Sequence, residues 1–102
     1  MNGKIEFGLI GYGYWGPKLA RNFHNSPKFN IRYIVDKSKT NINKAKLDFP
    51  LSTLLNDFKK IKKNTINLVV ISTPTKTHFS IAKYFLKFTN VLIEKPLSLN
   101  SK

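Results

Sequence analysis

The feature that most constrains the fold is a cluster of glycines between an apolar run and a proline. Residues 8–19 read GLIGYGYWGPKL, and three of the chain's five glycines fall between positions 11 and 16. The apolar run Ile5–Ile10 predicts a buried strand. Pro17 is favoured in the first turn of a helix, because its missing N–H is not needed there. The cluster therefore predicts a tight strand-to-helix turn.

The rest of the chain alternates between short apolar runs and amphipathic segments. Further strands are predicted at 30–35, 51–53, 67–71 and 91–93, and helices from 17 to before 27, at 38–49, through 54–58 and at 77–88. Strands that alternate with helices indicate parallel βαβ units with right-handed crossovers. We therefore expect an α/β fold, an open parallel sheet in the order 3-2-1-4-5 with helices on both faces. Strand five should form an uncovered apolar edge.

Between a strand and a helix, the pattern Gly11-x-Gly13-x-x-Gly16 favours a dinucleotide-binding turn. The first glycine permits the turn, the second lets a pyrophosphate approach the backbone, and the third lets the helix lie close to the sheet. Free N–H groups at the helix start would bind the diphosphate. The candidate cofactor-binding residues here are Gly11, Tyr12, Gly13, Tyr14, Trp15 and Gly16. The alternatives are a turn that needs glycines for its own conformation, and Trp15 as an ordinary packing aromatic.

An acidic residue follows the second predicted strand. Asp36 lies about twenty residues after the last glycine, where a carboxylate accepts hydrogen bonds from the adenosine ribose hydroxyls. Such a carboxylate repels a 2′-phosphate and favours NAD over NADP. Lys37, also a candidate cofactor-binding residue, and Lys39 would accommodate a phosphate, so NADP stays open. The alternative is a strand-end aspartate that caps the next helix.

The strand order reverses between strands one and four, and ligands of such sheets bind at the carboxyl ends of the strands at that point. Ser72, Thr73 and Pro74 follow strand four, and Glu94 and Lys95 follow strand five. All five are candidate cofactor-binding residues. By position alone, Lys95 is equally well explained as a solvated loop residue.

Four segments together resemble the amino-terminal domain of the Gfo/Idh/MocA oxidoreductases, the glucose–fructose oxidoreductase and inositol dehydrogenase family. They are Gly8–Gly13, Asp36, Val70–His78 and Val91–Leu97, and the Glu-Lys-Pro triplet and the Thr-Pro…His loop are the specific parts. The resemblance covers nearly the whole chain. It implies a Rossmann-like, NAD(P)-dependent oxidoreductase that moves hydride between a nicotinamide cofactor and a sugar, cyclitol or nucleotide-sugar hydroxyl.

The resemblance also implies roles for individual residues. Lys95 would lie near the nicotinamide as the catalytic residue and assist proton transfer at the substrate hydroxyl. Glu94 would orient or pair with it. Thr73, Pro74 and His78 would line the cofactor pocket. A packing residue at the start of a helix explains His78 equally well.

We expect residues 1–102 to form a dinucleotide-binding domain without the carboxyl-terminal substrate domain of the family. Such a chain would bind NAD, or NADP, without turning over a sugar. A sugar or nucleotide sugar would become a partner once a second domain is supplied, and a homo-oligomer or a partner chain stays open. The alternative from another class is a non-catalytic nucleotide-binding or sensor module, or a subunit completed by a partner.

The composition bears on the remaining classes of partner. A net charge of +13 is compatible with nucleic-acid binding. However, only Arg21 and Arg32 of the 18 basic residues are arginines, and the dense group 59–63 has no interleaved aromatic to stack on bases. No apolar run reaches the ~20 residues that span a bilayer, and the chain has no cysteine. We therefore expect a cytoplasmic protein with no nucleic-acid or membrane partner and no metal.

Overall fold

A computed structural model describes residues 4–13, 16–73, 75–87 and 89–93, with the backbone alone for residues 63, 75, 76 and 78. Its five strands are β1 (Ile5–Ile10), β2 (Phe29–Val35), β3 (Thr53–Leu55), β4 (Leu68–Ile71) and β5 (Asn90–Ile93). They pair in parallel in the order β3-β2-β1-β4-β5. The predicted α/β class and strand order are confirmed.

Three helices connect these strands. They are α1 (Gly16–His24), α2 (Lys39–Asp48) and α3 (Thr75–Phe85), and two 3₁₀ turns lie between β3 and β4, at Phe58–Lys60 and Lys63–Thr65. Ser38 is the N-cap of α2, because its hydroxyl accepts a hydrogen bond from the Asn41 N–H. The helix predicted at 77–88 begins two residues earlier and ends three residues earlier.

Alternate residues of the strands point to opposite faces of the sheet and build two hydrophobic layers. On one face, Phe7 and Leu9 of β1 pack with Ala20 of α1 and Ala45 of α2. On the other face, Ile10 of β1 lies in the layer that includes α3 and the segment between β3 and β4. The sheet is therefore covered on both sides, as predicted.

The predicted strand at 51–53 and helix through 54–58 are wrong. Leu54 and Leu55 lie in β3, which pairs with the end of β2. In a strand these two neighbours face opposite sides of the sheet, so Leu54 packs on one hydrophobic layer and Leu55 on the other. The helical segment shortens to a single 3₁₀ turn, which begins where the Asp57 carboxylate accepts the N–H of residue 59.

The strand at the other end of the sheet is partly exposed. Among the described residues β5 pairs with β4 alone, and its Leu92 side chain is 41% exposed. Within the described ranges, β5 is the outermost strand, as the predicted strand order requires. Across the described ranges, no helix has both the length and the apolar character needed to span a membrane.

Candidate functional site

The turn after β1 depends on the absence of a side chain at Gly11. Its φ of +103° lies in the region that L-amino acids with side chains rarely adopt. A Cβ there would also lie 3.1 Å from both Ser72 Oγ and Thr73 Cγ2, at the carboxyl end of β4. Both backbone conformation and packing therefore require glycine.

Gly16 is required for a different reason. It begins α1, and a Cβ on it would lie 2.2 Å from the carbonyl oxygen of Gly11. The start of the helix therefore rests directly on the turn, and the steric roles predicted for Gly11 and Gly16 are confirmed. This arrangement brings the positive end of the α1 dipole to the carboxyl edge of the sheet.

Gly13 differs from the other two, because the described fold makes no use of its missing side chain. Its φ lies outside the left-handed region, and it is exposed. Of the described residues, a Cβ there would meet only Asn41, whose Nδ2 would lie at the ordinary contact distance of 3.7 Å. The described residues therefore leave the space over Gly13 open, as the close approach of a diphosphate to the backbone requires.

The Asp36 carboxylate lies against the glycine turn. Its Oδ2 accepts hydrogen bonds from the Tyr12 N–H at 2.7 Å and from Asn41 Nδ2 at 3.1 Å. Its Oδ1 accepts the Ser38 N–H at 2.8 Å. The cap of α2 is Ser38 itself, so the alternative role of Asp36 as the helix cap is wrong. The carboxylate instead joins the end of β2 to the turn.

The end of β4 completes this edge of the sheet. Ser72 donates its N–H to the Ile10 carbonyl at 2.9 Å and its hydroxyl to the Gly11 carbonyl at 2.8 Å. The Thr73 hydroxyl accepts a hydrogen bond from the Thr77 hydroxyl at 2.9 Å, at the start of α3. Both predicted residues thus lie at the turn, and the Ser72 hydroxyl holds the turn in place.

The side chain of Tyr12 belongs to the core. It is 1% exposed, and its hydroxyl donates to Asp48 Oδ2 at 2.6 Å. Burial, together with this hydrogen bond, raises the pKa of the Tyr12 hydroxyl well above its usual range. The ring also packs edge-on against Phe49. Tyr12 therefore contributes its backbone N–H to the site, through Asp36, and its side chain fastens the turn to α2.

The remaining predicted residues divide into two groups. Lys37 is exposed next to Asp36. His78 lies in α3, and of this residue only the backbone is described. Tyr14, Trp15, Pro74, Glu94 and Lys95 lie outside the described residues. Within the described ranges, no group of histidine and acidic side chains could hold a metal ion.

Asn41 is the site residue that the sequence reasoning missed. It occupies the third position of α2 and contacts both Asp36 and the space over Gly13. No sequence signal pointed to it, because a capping box needs a glutamate or glutamine at this position and the Asn41 amide instead bonds Asp36.

The family described as "Oxidoreductase family, NAD-binding Rossmann fold" (GFO_IDH_MocA) matches residues 5–102. The chain belongs to the Gfo/Idh/MocA oxidoreductase family. The resemblance drawn from the glycine turn, Asp36 and the segments after β4 and β5 is thereby confirmed. The described fold is the NAD-binding Rossmann domain of this family.

Individual relatives agree with this assignment. The chain is 33% identical over 106 residues to the uncharacterized oxidoreductase YdgJ of Escherichia coli K12. The matched region covers 97% of this chain and 29% of YdgJ. GenD2 from gentamicin A biosynthesis, solved in complex with NAD, matches with a TM-score of 0.82 and 26% identity, over 94% of this chain and 28% of that one. Biliverdin reductase from Synechocystis sp. PCC 6803, solved with biliverdin and NADP⁺, matches with a TM-score of 0.82 and 25% identity, over 93% and 30%. The chain thus spans less than a third of the length of these proteins.

Proposed function

We propose that this chain binds NAD as the cofactor domain of an oxidoreductase whose substrate is a sugar, a cyclitol or a nucleotide sugar. One observation carries the proposal. The Asp36 carboxylate is hydrogen-bonded to the glycine turn through the Tyr12 N–H at 2.7 Å, beside the open space over Gly13. An acceptor for ribose hydroxyls and a space for the diphosphate are therefore adjacent, as a dinucleotide requires.

The diphosphate is held at the start of α1. The first N–H groups of a helix have no partner within the helix, and its dipole favours an anion there. The first turn of α1 contains no acidic residue that would oppose the anion. Gly16 brings these N–H groups close to the turn, because a residue without a side chain can lie directly against the Gly11 carbonyl.

The preference for NAD over NADP rests on Asp36. A 2′-phosphate would place a second anion beside this carboxylate, and the two like charges would repel each other. The side chains of Lys37 and Lys39 are exposed, so solvent and salt screen the attraction that they offer to a phosphate. The solved relatives with NAD and with NADP⁺ match this chain with the same TM-score of 0.82 and with 26% and 25% identity, so only the carboxylate supports the preference.

Bound nicotinamide supplies the hydride acceptor or donor of the reaction. We assign proton transfer at the substrate hydroxyl to Lys95. Its Nζ would accept the hydroxyl proton when the substrate is oxidised and return it when the product is reduced. Glu94 pairs with it. Two observations support this assignment. β5 ends beside Ile71, at the edge that carries the glycine turn, and Lys95 follows β5 by two residues in the sequence. The family resemblance of this segment supports the substrate class.

We expect the 102-residue chain to bind the cofactor without turning over a sugar. Catalysis of this kind depends on holding both reactants in one geometry. The chain spans 29% of the YdgJ relative, and a substrate would need a second domain, from a longer protein or from a partner chain.

The proposal is tested by titrating ¹⁵N-labelled chain with NAD⁺ and following its amide signals by NMR. The amides of Gly11, Gly13 and Gly16 should shift together. Asp36→Ala should weaken NAD⁺ binding about 10-fold to 150-fold, since hydrogen bonds to a charged group contribute about 1.5–3 kcal/mol. Asp57→Ala is the matched control, because Asp57 also follows a strand but its carboxylate caps a 3₁₀ turn. Unchanged glycine amides at saturating NAD⁺ would refute the proposal.

A further inference from the structure

We propose that Asn41 is a positioning residue of the cofactor site, which holds the Asp36 carboxylate in the orientation that selects the unphosphorylated ribose of NAD. This inference rests on the proposed function, because it assigns a role within the same site. Asn41 is half-buried, and its Nδ2 lies between two parts of that site. One is the carboxylate, 3.1 Å away, and the other is the open space over Gly13.

The helix itself does not need the Asn41 side chain. At this third helical position, a capping box uses a glutamate or glutamine to bond the N–H of the cap residue. Here the Ser38 N–H already donates to Asp36 Oδ1, and the Asn41 backbone N–H already donates to Ser38 Oγ. The Asn41 amide group is therefore available to the carboxylate. A glutamate in its place would set a second negative charge beside Asp36.

The hydrogen bonds that the described residues make to the carboxylate leave one acceptor position for a ligand. An ionised carboxylate has about four such positions. Two on Oδ2 are taken by the Tyr12 N–H and by Asn41, and one on Oδ1 is taken by the Ser38 N–H. The remaining position is on Oδ1. A ribose hydroxyl can donate to it, whereas a phosphate on that hydroxyl brings only acceptor oxygens and negative charge.

Asn41 is the side chain that maintains this arrangement. The other two donors are backbone N–H groups, so Asn41 is the donor of the three that a substitution removes. Because a carboxylate only accepts hydrogen bonds, the amide must present Nδ2 to it. Without that donor, Oδ2 retains the Tyr12 N–H and Oδ1 retains the Ser38 N–H, so the carboxylate loses one of the three bonds that fix the orientation in which it receives the hydroxyl.

The test measures the affinities for NAD⁺ and for NADP⁺ by NMR titration of the 102-residue chain and three variants. Asn41→Ala should weaken NAD⁺ binding about threefold to tenfold, the effect of one hydrogen bond, and should leave NADP⁺ binding nearly unchanged. Asn41→Gln retains an amide donor and should recover the ratio of the two affinities. Asn43→Ala, an exposed asparagine of the same helix, is the matched control and should change neither affinity.

The outcomes separate this inference from the proposed function. If the unaltered chain binds neither dinucleotide, the proposed function is refuted and this inference with it. If it binds NAD⁺ but Asn41→Ala leaves the ratio unchanged, or weakens both dinucleotides equally, only the role of Asn41 is refuted. A glutamine that recovers none of a lost ratio also refutes it, because the hydrogen bond would then not be the cause.

Discussion

Alanine substitutions at Gly13 and Gly16 should differ in their effect on stability, and the substitution at Gly13 should weaken binding in a folded protein. A Cβ at Gly16 would lie about 0.8 Å inside the 3.0 Å limit for real Cβ contacts, against a backbone carbonyl that cannot rotate away. Among the described residues, a Cβ at Gly13 would meet only an asparagine side chain, at 3.7 Å. The protein's own backbone therefore fills the space over Gly16, whereas the described residues leave the space over Gly13 open to a ligand.

The expected magnitudes follow from these distances. Gly16→Ala forces α1 away from the turn at a cost of about 3 kcal/mol, the upper part of the range for overpacking. For a domain of this size, that cost lowers the melting temperature by roughly 12–24 °C. Gly13→Ala should leave the free energy of unfolding unchanged or raise it by up to about 1 kcal/mol, because alanine restricts the unfolded chain.

Gly13→Ala should weaken NAD⁺ binding although it does not lower stability. A methyl group at Gly13 occupies the place of the diphosphate, and an added group of this size costs about 1–3 kcal/mol. NAD⁺ affinity should then fall about fivefold to 150-fold in a protein that remains fully folded. Far-UV circular dichroism during heating gives the stability, and NMR titration gives the affinity.

Two results would refute the reasoning. If Gly13→Ala lowers the melting temperature as much as Gly16→Ala, the glycine serves the fold and the open space has no bearing on a ligand. If Gly13→Ala is stable and binds NAD⁺ as the unaltered chain does, the diphosphate does not lie over Gly13.

Three further substitutions test the surroundings of the turn. Tyr12→Phe removes the hydrogen bond to Asp48 and should lower the free energy of unfolding by about 0.5–1.5 kcal/mol, measured by urea unfolding at pH 7. The pKa of Tyr12 is higher in the folded state than the ordinary tyrosine value of 10.0, so its contribution to stability is fully present below pH 10. That contribution is lost as the pH rises through the folded-state pKa. The difference in the free energy of unfolding between Tyr12→Phe and the unaltered chain should therefore shrink at alkaline pH. Ser72→Ala, which removes the hydroxyl that donates to the Gly11 carbonyl, should lower the melting temperature by roughly 4–8 °C. Lys95→Ala should leave the NAD⁺ affinity measured by NMR titration largely intact, because the assigned role is in proton transfer.

Each of these has a clear contrary result. A difference between Tyr12→Phe and the unaltered chain that grows above pH 10 would contradict the raised pKa. Ser72→Ala with an unchanged melting temperature would show that β4 does not hold the turn. A large loss of NAD⁺ affinity in Lys95→Ala would make this residue a binding group.

Most of the sheet was predictable, because each strand carries its own signal. β1 and β4 are apolar runs flanked by turn residues, and β2 alternates, so their existence follows from local pattern. β3 was misplaced, since Leu54 and Leu55 satisfy either a helix or a strand by themselves. Its identity depended on which layers of the sheet were open to the two side chains.

The site was predictable in part for the same reason. The steric need for glycine at positions 11 and 16 follows from a strand that turns directly into a helix, and the contacts at both positions confirm it. The burial of Tyr12 beside the same turn did not follow, because its partner Asp48 lies 36 residues away. Likewise, nothing local to Asn41 shows that its amide faces Asp36.

The amino-acid sequence alone determined the α/β class, the order of the strands and the carboxyl edge of the sheet as the place of the candidate site. It could do so because short-range sterics and side-chain periodicity act along the sequence. Only the tertiary structure decided what each polar group bonds to. The Asp36 carboxylate joins the glycine turn to α2 instead of capping the helix, through a contact between residues 24 apart. Such contacts exist only when the packed sheet brings distant segments within hydrogen-bond distance of about 3 Å.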